Sequence, residues 1–146
     1  MSRFSKLSHS VYECKYHIII CPKYRYKVLR GEVSNFCKQR LYQLASQKDQ
    51  VEILELNIQP DHIHLLISIP PKYQVSQIVG FLKGKVSIGL FQHFERLGRT
   101  YWGSHFWSRG YCVSTVGLDE EMIRKYVKYQ EKKEKELEKT QPNQNK

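Results

Sequence analysis

The spacing of hydrophobic and polar positions along these 146 residues changes period several times, and each change marks an element. Residues 11–21 are rich in β-branched and aromatic side chains and stop at Pro22, which predicts a strand. Lys23-Tyr24-Arg25-Tyr26-Lys27 follows as a basic-aromatic connector. Across residues 32–48, Val33, Phe36, Cys37, Leu41, Leu44 and Ala45 recur at helical spacing, with Lys38, Arg40 and Gln43 on the other face. Residues 51–58 alternate again, with Leu54 out of phase, and predict a second strand. Gln59, Pro60 and Asp61 link it as a hairpin to a third, which alternates through His62, Ile63 and His64 and ends before Pro70-Pro71. Val75, Ile78, Val79, Leu82, Val86, Leu90 and Phe94 then define a second helix. Gly80, Gly84 and Gly89 weaken it by up to ~1 kcal/mol each against Ala, and admit close packing or close approach of a phosphate backbone. Beyond an aromatic loop at 101–107, residues 109–116 predict a fourth strand. Gly117 punctuates the start of a last helix at about Asp119, with Glu120 and Glu121 in the first turn that the helix dipole favours for acids.

The order β-α-β-β-α-β, then a helix, predicts an α+β fold. It is a ferredoxin-like split βαβ, an antiparallel four-stranded sheet with two helices on one face and a further C-terminal helix. The other face is left for ligands or for a partner. A chain of this length suits one domain over 1–136. The polar stretch 137–146 is expected to fray.

Charge changes the picture most. The net charge is +10, and the segment 131–146 holds five Lys against four Glu, so nearly all of the excess sits on the first 130 residues. A basic folded domain points to a polyanionic partner, most often nucleic acid. Tyrosines and tryptophans interleaved with the cations suit stacking on unpaired bases, and also suit ordinary strands. Cys14, Cys21, Cys37 and Cys112 form no C-x-x-C pair, which excludes a zinc ribbon on spacing and leaves them as small hydrophobes. No apolar run reaches the ~18 residues of a membrane helix, and the N-terminus lacks the apolar core of a signal peptide, so a cytoplasmic protein is expected.

The candidate chemistry lies at two places. Residues two apart on a strand share a face roughly 6.5 to 7 Å apart, so the His62 and His64 imidazoles point one way and Ile63 the other. Two imidazoles on a rigid strand make half of a metal site, which then needs a ligand from elsewhere. In the last helix, Tyr126 and Gln130 stand four apart and share a face, so a phenol and a carboxamide can serve one site. Tyr129 partly shares that face and is the other candidate nucleophile. His17, His93 and His105 have no partner at ligand spacing in the sequence and are expected to play no metal role.

Taken together, three segments resemble the single-tyrosine HUH transposases of the insertion-sequence 200/605 family. They are Pro60-Asp61-His62-Ile63-His64-Leu65-Leu66, the run from Phe106-Trp107-Ser108 to Gly117, and Tyr126-Val127-Lys128-Tyr129-Gln130. The resemblance implies that His62, His64 and Gln130 hold one divalent cation, Mg²⁺ or Mn²⁺, with no nucleotide cofactor. It implies that Tyr126 is the nucleophile, in cleavage and rejoining of single-stranded DNA marked by subterminal hairpins. It implies a homodimer in which the tyrosine helix of one subunit completes the histidine site of the other, with Gly117 as the hinge. An oxygen-rich third ligand also suits Mg²⁺ or Mn²⁺ better than Zn²⁺. A reference pKa near 10 means that the phenol must be activated, and both metal proximity and a nearby Lys answer to that role.

Lys23, Arg25, Lys27, Lys83 and Lys85 are the cations chosen for contact with the DNA backbone. Two other readings stand beside the transposase. One is a non-catalytic module binding single strands through an open sheet face, which gives no reason for His62, His64, Tyr126 and Gln130 to occur together. The other is a domesticated HUH nuclease acting on chromosomal hairpins. A two-histidine phosphoesterase is excluded, because no second His-x-Thr/Ser repeat is present.

Overall fold

A computed structural model of the chain describes residues 5–7, 10–12, 14–102 and 105–140. Its central sheet holds β3 (Lys15–Ile20), β4 (Glu52–Gln59), β5 (His62–Ser68) and β6 (Cys112–Ser114) in the order β4-β5-β3-β6, with every neighbouring pair antiparallel. This is the expected split βαβ topology. Gln59 pairs with His62, so the β4–β5 hairpin turns on Pro60 and Asp61 alone. Leu54, out of phase in the sequence, sits where the β4 register shifts between Ile53 and Glu55, a bulge that restores the inward alternation.

α1 (Gly31–Ser46) and α2 (Val75–His93) cover one face of the sheet. Ile18, Ile20, Ile63, Leu65 and Ile67 point into that layer and are almost wholly buried against Val33, Leu41, Leu82 and Val86. Truncating any one of them to Ala would cost about 2–5 kcal/mol, which is why the strand parity is firmly set. Of the three α2 glycines, Gly89 admits close packing: a Cβ there would lie 2.7 Å from the Phe36 ring of α1. Gly80 and Gly84 have nothing within 4 Å of that position.

α4 (Glu120–Thr140) lies across the opposite face, which is therefore covered in part by the chain itself. Val127 is buried with Ile19 and Cys21 of the sheet, and Ile123 and Tyr126 pack beside them. Asp119 caps the helix, its Oδ1 accepting the Met122 N–H at 2.9 Å. The helix continues to Thr140, into the stretch 137–146 that composition predicts to fray; residues 141–146 lie outside the described set.

Four expectations are corrected. The single strand over 11–21 is two, because β2 (Ser10–Tyr12) pairs with β1 (Ser5–Leu7) as a separate hairpin and β3 alone enters the sheet. Alternation cannot reveal such a change of partner. The fourth strand is confined to Cys112–Ser114, because Gly110 at φ +77° bends the chain before it. α2 stops at His93, and a short helix α3 (Glu95–Thr100) fills what reads as the approach to the aromatic loop. The basic-aromatic connector contains a 3₁₀ turn at Lys23–Arg25, in which Tyr24 and Arg25 both adopt left-handed backbone angles.

Candidate active site

The face of β5 turned away from α1 and α2 supplies the histidines. With Ile63 wholly buried on the other face, His62 and His64 line a cavity of about 320 Å³ between β4, β5 and α4. Asn57 and Gln59, their cross-strand partners, line it from β4, and Ile123, Arg124 and Val127 from α4.

Each imidazole has a partner. His62 Nδ1 lies 2.9 Å from Asp61 Oδ1, and the second oxygen of that carboxylate accepts from Arg25 Nε at 2.9 Å. Burial pushes the Asp61 carboxyl up, but the hydrogen bonds from His62 and Arg25 outweigh it and hold the group below its ordinary range. A carboxylate on one ring nitrogen fixes the ring and leaves the other nitrogen for a ligand, the arrangement usual behind metal-bound histidines. His64 Nε2 lies 3.1 Å from His17 Nδ1, with the ring centroids 5.3 Å apart. Burial first, then the neighbouring His17 and His62, push the His64 pKa down.

His17 thus touches a site histidine, a neighbour that sequence spacing does not reveal. Its place follows from sheet order, which sets β3 beside β5 and puts the His17 and His64 side chains on the same face. Among the described residues no three His, Cys, Asp or Glu side chains are grouped to hold a metal ion. The residues present fit half of such a site, with His62 best prepared and the third ligand still to be supplied.

Tyr126 and Gln130 are brought together, as their spacing predicts, but they do not line the histidine cavity. Gln130 Nε2 donates to Tyr126 Oη at 2.7 Å and to the Arg109 carbonyl at 3.2 Å, on the β6 side of α4. Burial pushes the Tyr126 phenol up to about 12, against the Gln130 hydrogen bond, which favours the phenolate. Tyr126 is half-buried, whereas Tyr129 is 56% exposed, and this separates the two candidate tyrosines by environment.

The position of α4 is fixed by contacts the sequence does not advertise. Glu134, only 7% exposed, accepts from the Tyr24 backbone N–H at 3.1 Å and from Ser108 Oγ at 2.6 Å. Glu131 reaches Arg25 at 3.6 Å, so one guanidinium touches both the helix and the carboxylate behind His62. Glu134→Ala leaves the Tyr24 N–H without its acceptor and is expected to cost about 1–3 kcal/mol. Glu134→Gln retains an acceptor oxygen and most of that stability, and thermal melts of the two variants check the difference.

The cations chosen for DNA contact divide. Arg25 is tied to Asp61 and Glu131. Lys83 donates to the Ser108 and Gly110 carbonyls at 2.9 and 2.8 Å, and burial pushes its pKa down. Lys23 lies over the Tyr24 ring at 5.2 Å, while Lys27 and Lys85 are exposed.

Comparison with known proteins bears on family and fold. A family model described as "Transposase IS200 like" matches residues 10–130. The transposase for insertion sequence element IS200 of Salmonella typhimurium is 43% identical over 129 residues, 88% of this chain and 84% of that one. The ISDra2 transposase TnpA of Deinococcus radiodurans is 37% identical over 125 residues, 85% of this chain and 89% of its own. A crystal structure of a Deinococcus radiodurans protein superposes with a TM-score of 0.79 at 34% identity, over 86% of this chain and 97% of that one. A REP-associated tyrosine transposase bound to a REP hairpin, 12% identical over 88% of this chain and 70% of its own, has a TM-score of 0.52, a likeness of fold alone.

Proposed function

Because the chain belongs to the family of IS200-like transposases, we propose that it cleaves and rejoins single-stranded DNA at hairpin-marked ends through a tyrosine-linked intermediate. The observation that carries this reading is the disposition of the two half-sites. His62 and His64 open into one cavity, while Tyr126 and Gln130, on the helix that lines it, are turned away from it. Such halves make a site when a second copy supplies the complementary half, so the working unit is read as a homodimer. Gly117, with open space around it between β6 and α4, is the natural place for α4 to swing.

His62 and His64, with Gln130 of a second copy, would hold Mg²⁺ or Mn²⁺. When bound, the cation would polarise the scissile phosphate and offset charge in the transition state. Asp61 keeps the His62 ring oriented for that task, and Arg25 keeps Asp61 ionised. Tyr126 Oη gives up its proton and bonds to phosphorus; the P–O3′ bond breaks and the departing 3′-oxygen gains a proton. The 5′-phosphotyrosine retains the phosphodiester energy, so the 3′-hydroxyl of another strand reverses the step without ATP. No helix among the described residues is long and apolar enough to cross a membrane; on this reading the protein works at the nucleoid when bound to DNA.

The test mixes two inactive proteins. Each is incubated alone and then together with single-stranded DNA from the ends of the element around its gene, with Mg²⁺. His62→Ala/His64→Ala and Tyr126→Phe are each expected to give no covalent adduct, and their mixture to regain it. A wild-type protein that binds this DNA without ever becoming linked to it would leave only the binding module.

A further inference from the structure

A second cavity, of about 300 Å³, is lined by Lys27, Val28, Arg30, Arg96, Leu97 and Thr100. Three cations converge on it and no acid lines it. Lys27, Arg30 and Arg96 are exposed, and among the described residues none of their side chains makes an ion pair or a hydrogen bond. Elsewhere the exposed cations divide: Arg99 is matched by Glu95, Arg124 by Glu120 and Lys125 by Glu121, whereas Lys15, Lys38 and Lys85 stand singly without an ion-pair partner among the described residues. Three unmatched positive charges around one hollow repel one another, and an anion seated among them relieves that repulsion. Two of the three are arginines, whose planar forks match phosphate oxygens in pairs.

The position of this hollow says which anion. Arg25 lines the histidine cavity and Lys27 lines this one, and Cα atoms two residues apart are separated by at most ~7 Å. Between them Tyr26 is 42% exposed, with its ring centroid 5.5 Å from those of both Tyr24 and Tyr101. Cation, exposed aromatic ring and cation therefore follow one another along the chain from one cavity to the other. Single-stranded nucleic acid is held by that combination, with phosphates on the charges and a base on the ring.

We infer that Lys27, Arg30 and Arg96 form a phosphate pocket for the single strand beside the site at His62 and His64, with Tyr26 as the stacking surface between. The inference rests on the proposed cleavage reading, and adds to it where the substrate strand runs and what sets its register.

The test is non-covalent. Full-length protein carrying Tyr126→Phe is titrated with a fluorescein-labelled single-stranded oligonucleotide from the element end, and with a hairpin of equal length, over a range of NaCl. Adding Arg30→Ala/Arg96→Ala is expected to weaken single-strand binding at least ~10-fold and to flatten the log–log salt slope by about 1.4, at about 0.7 per lost phosphate contact. Arg30→Lys/Arg96→Lys keeps the charges and is expected to keep the slope. Tyr26→Ala should weaken binding about fivefold or more with the slope unchanged. An alanine variant with the wild-type slope overturns the inference, as does a slope lost on the hairpin but kept on the single strand. Cleavage plays no part in this measurement, and the mixing experiment decides that reading independently.

Discussion

Tyr126→Phe is expected to lower covalent attachment to single-stranded DNA by on the order of 10⁴-fold or more, while leaving fold and DNA affinity nearly untouched. The substitution removes one atom, Tyr126 Oη, which accepts from Gln130 Nε2 at 2.7 Å. It keeps the ring, which packs beside Ile19, Cys21 and Val127. Gln130 keeps its second acceptor, the Arg109 carbonyl, so the loss of one hydrogen bond costs only about 0.5–1.5 kcal/mol of stability. Tyr129→Phe is expected to retain attachment, because that ring is exposed and lies outside the Gln130 pairing. A denaturing gel of labelled DNA after reaction with each variant reads both effects. Loss in Tyr129→Phe alone would move the nucleophile by three residues and would leave the pairing of Tyr126 with Gln130 a purely structural feature.

How much of this arrangement was legible in advance depended on whether a local period or a distant partner decided it. Strand parity alone puts His62 and His64 on one side of β5 and Ile63 in the core, and helical spacing alone pairs Tyr126 with Gln130. The approach of His17 to His64 needed sheet order as well, since 47 residues separate them in the chain. The α4 register was present as Ile123, Val127, Gln130 and Glu134, an inward stripe disguised by its last two members. Carboxylates are rarely buried without a partner, and the partners of Glu134 are a backbone N–H in a left-handed turn and a serine more than twenty residues away. Neither carries a pattern. The same turn hides the role of Arg25, which reads as one more surface cation until its backbone brings it to Asp61.

Removing the imidazoles tests the other half of the site. His62→Ala/His64→Ala is expected to abolish Mn²⁺ binding measured by calorimetric titration, with the fold retained. Both side chains lie on the cavity face, while the residues that hold β5 in the core, Ile63, Leu65 and Ile67, are unchanged. Asp61→Asn is the finer probe. It leaves both imidazoles in place but removes the charge that His62 Nδ1 and Arg25 Nε share, and it should weaken Mn²⁺ about 10- to 100-fold. His17→Phe separates two roles for the remaining contact. If His17 only orients the His64 ring, Mn²⁺ affinity falls by the modest factor of a lost positioning partner. If its nitrogen, 3.1 Å from His64 Nε2, competes for the lone pair that a cation needs, affinity rises. Unchanged Mn²⁺ binding in the double alanine variant would place the cation elsewhere and would sink the assignment of His62 and His64 as its ligands.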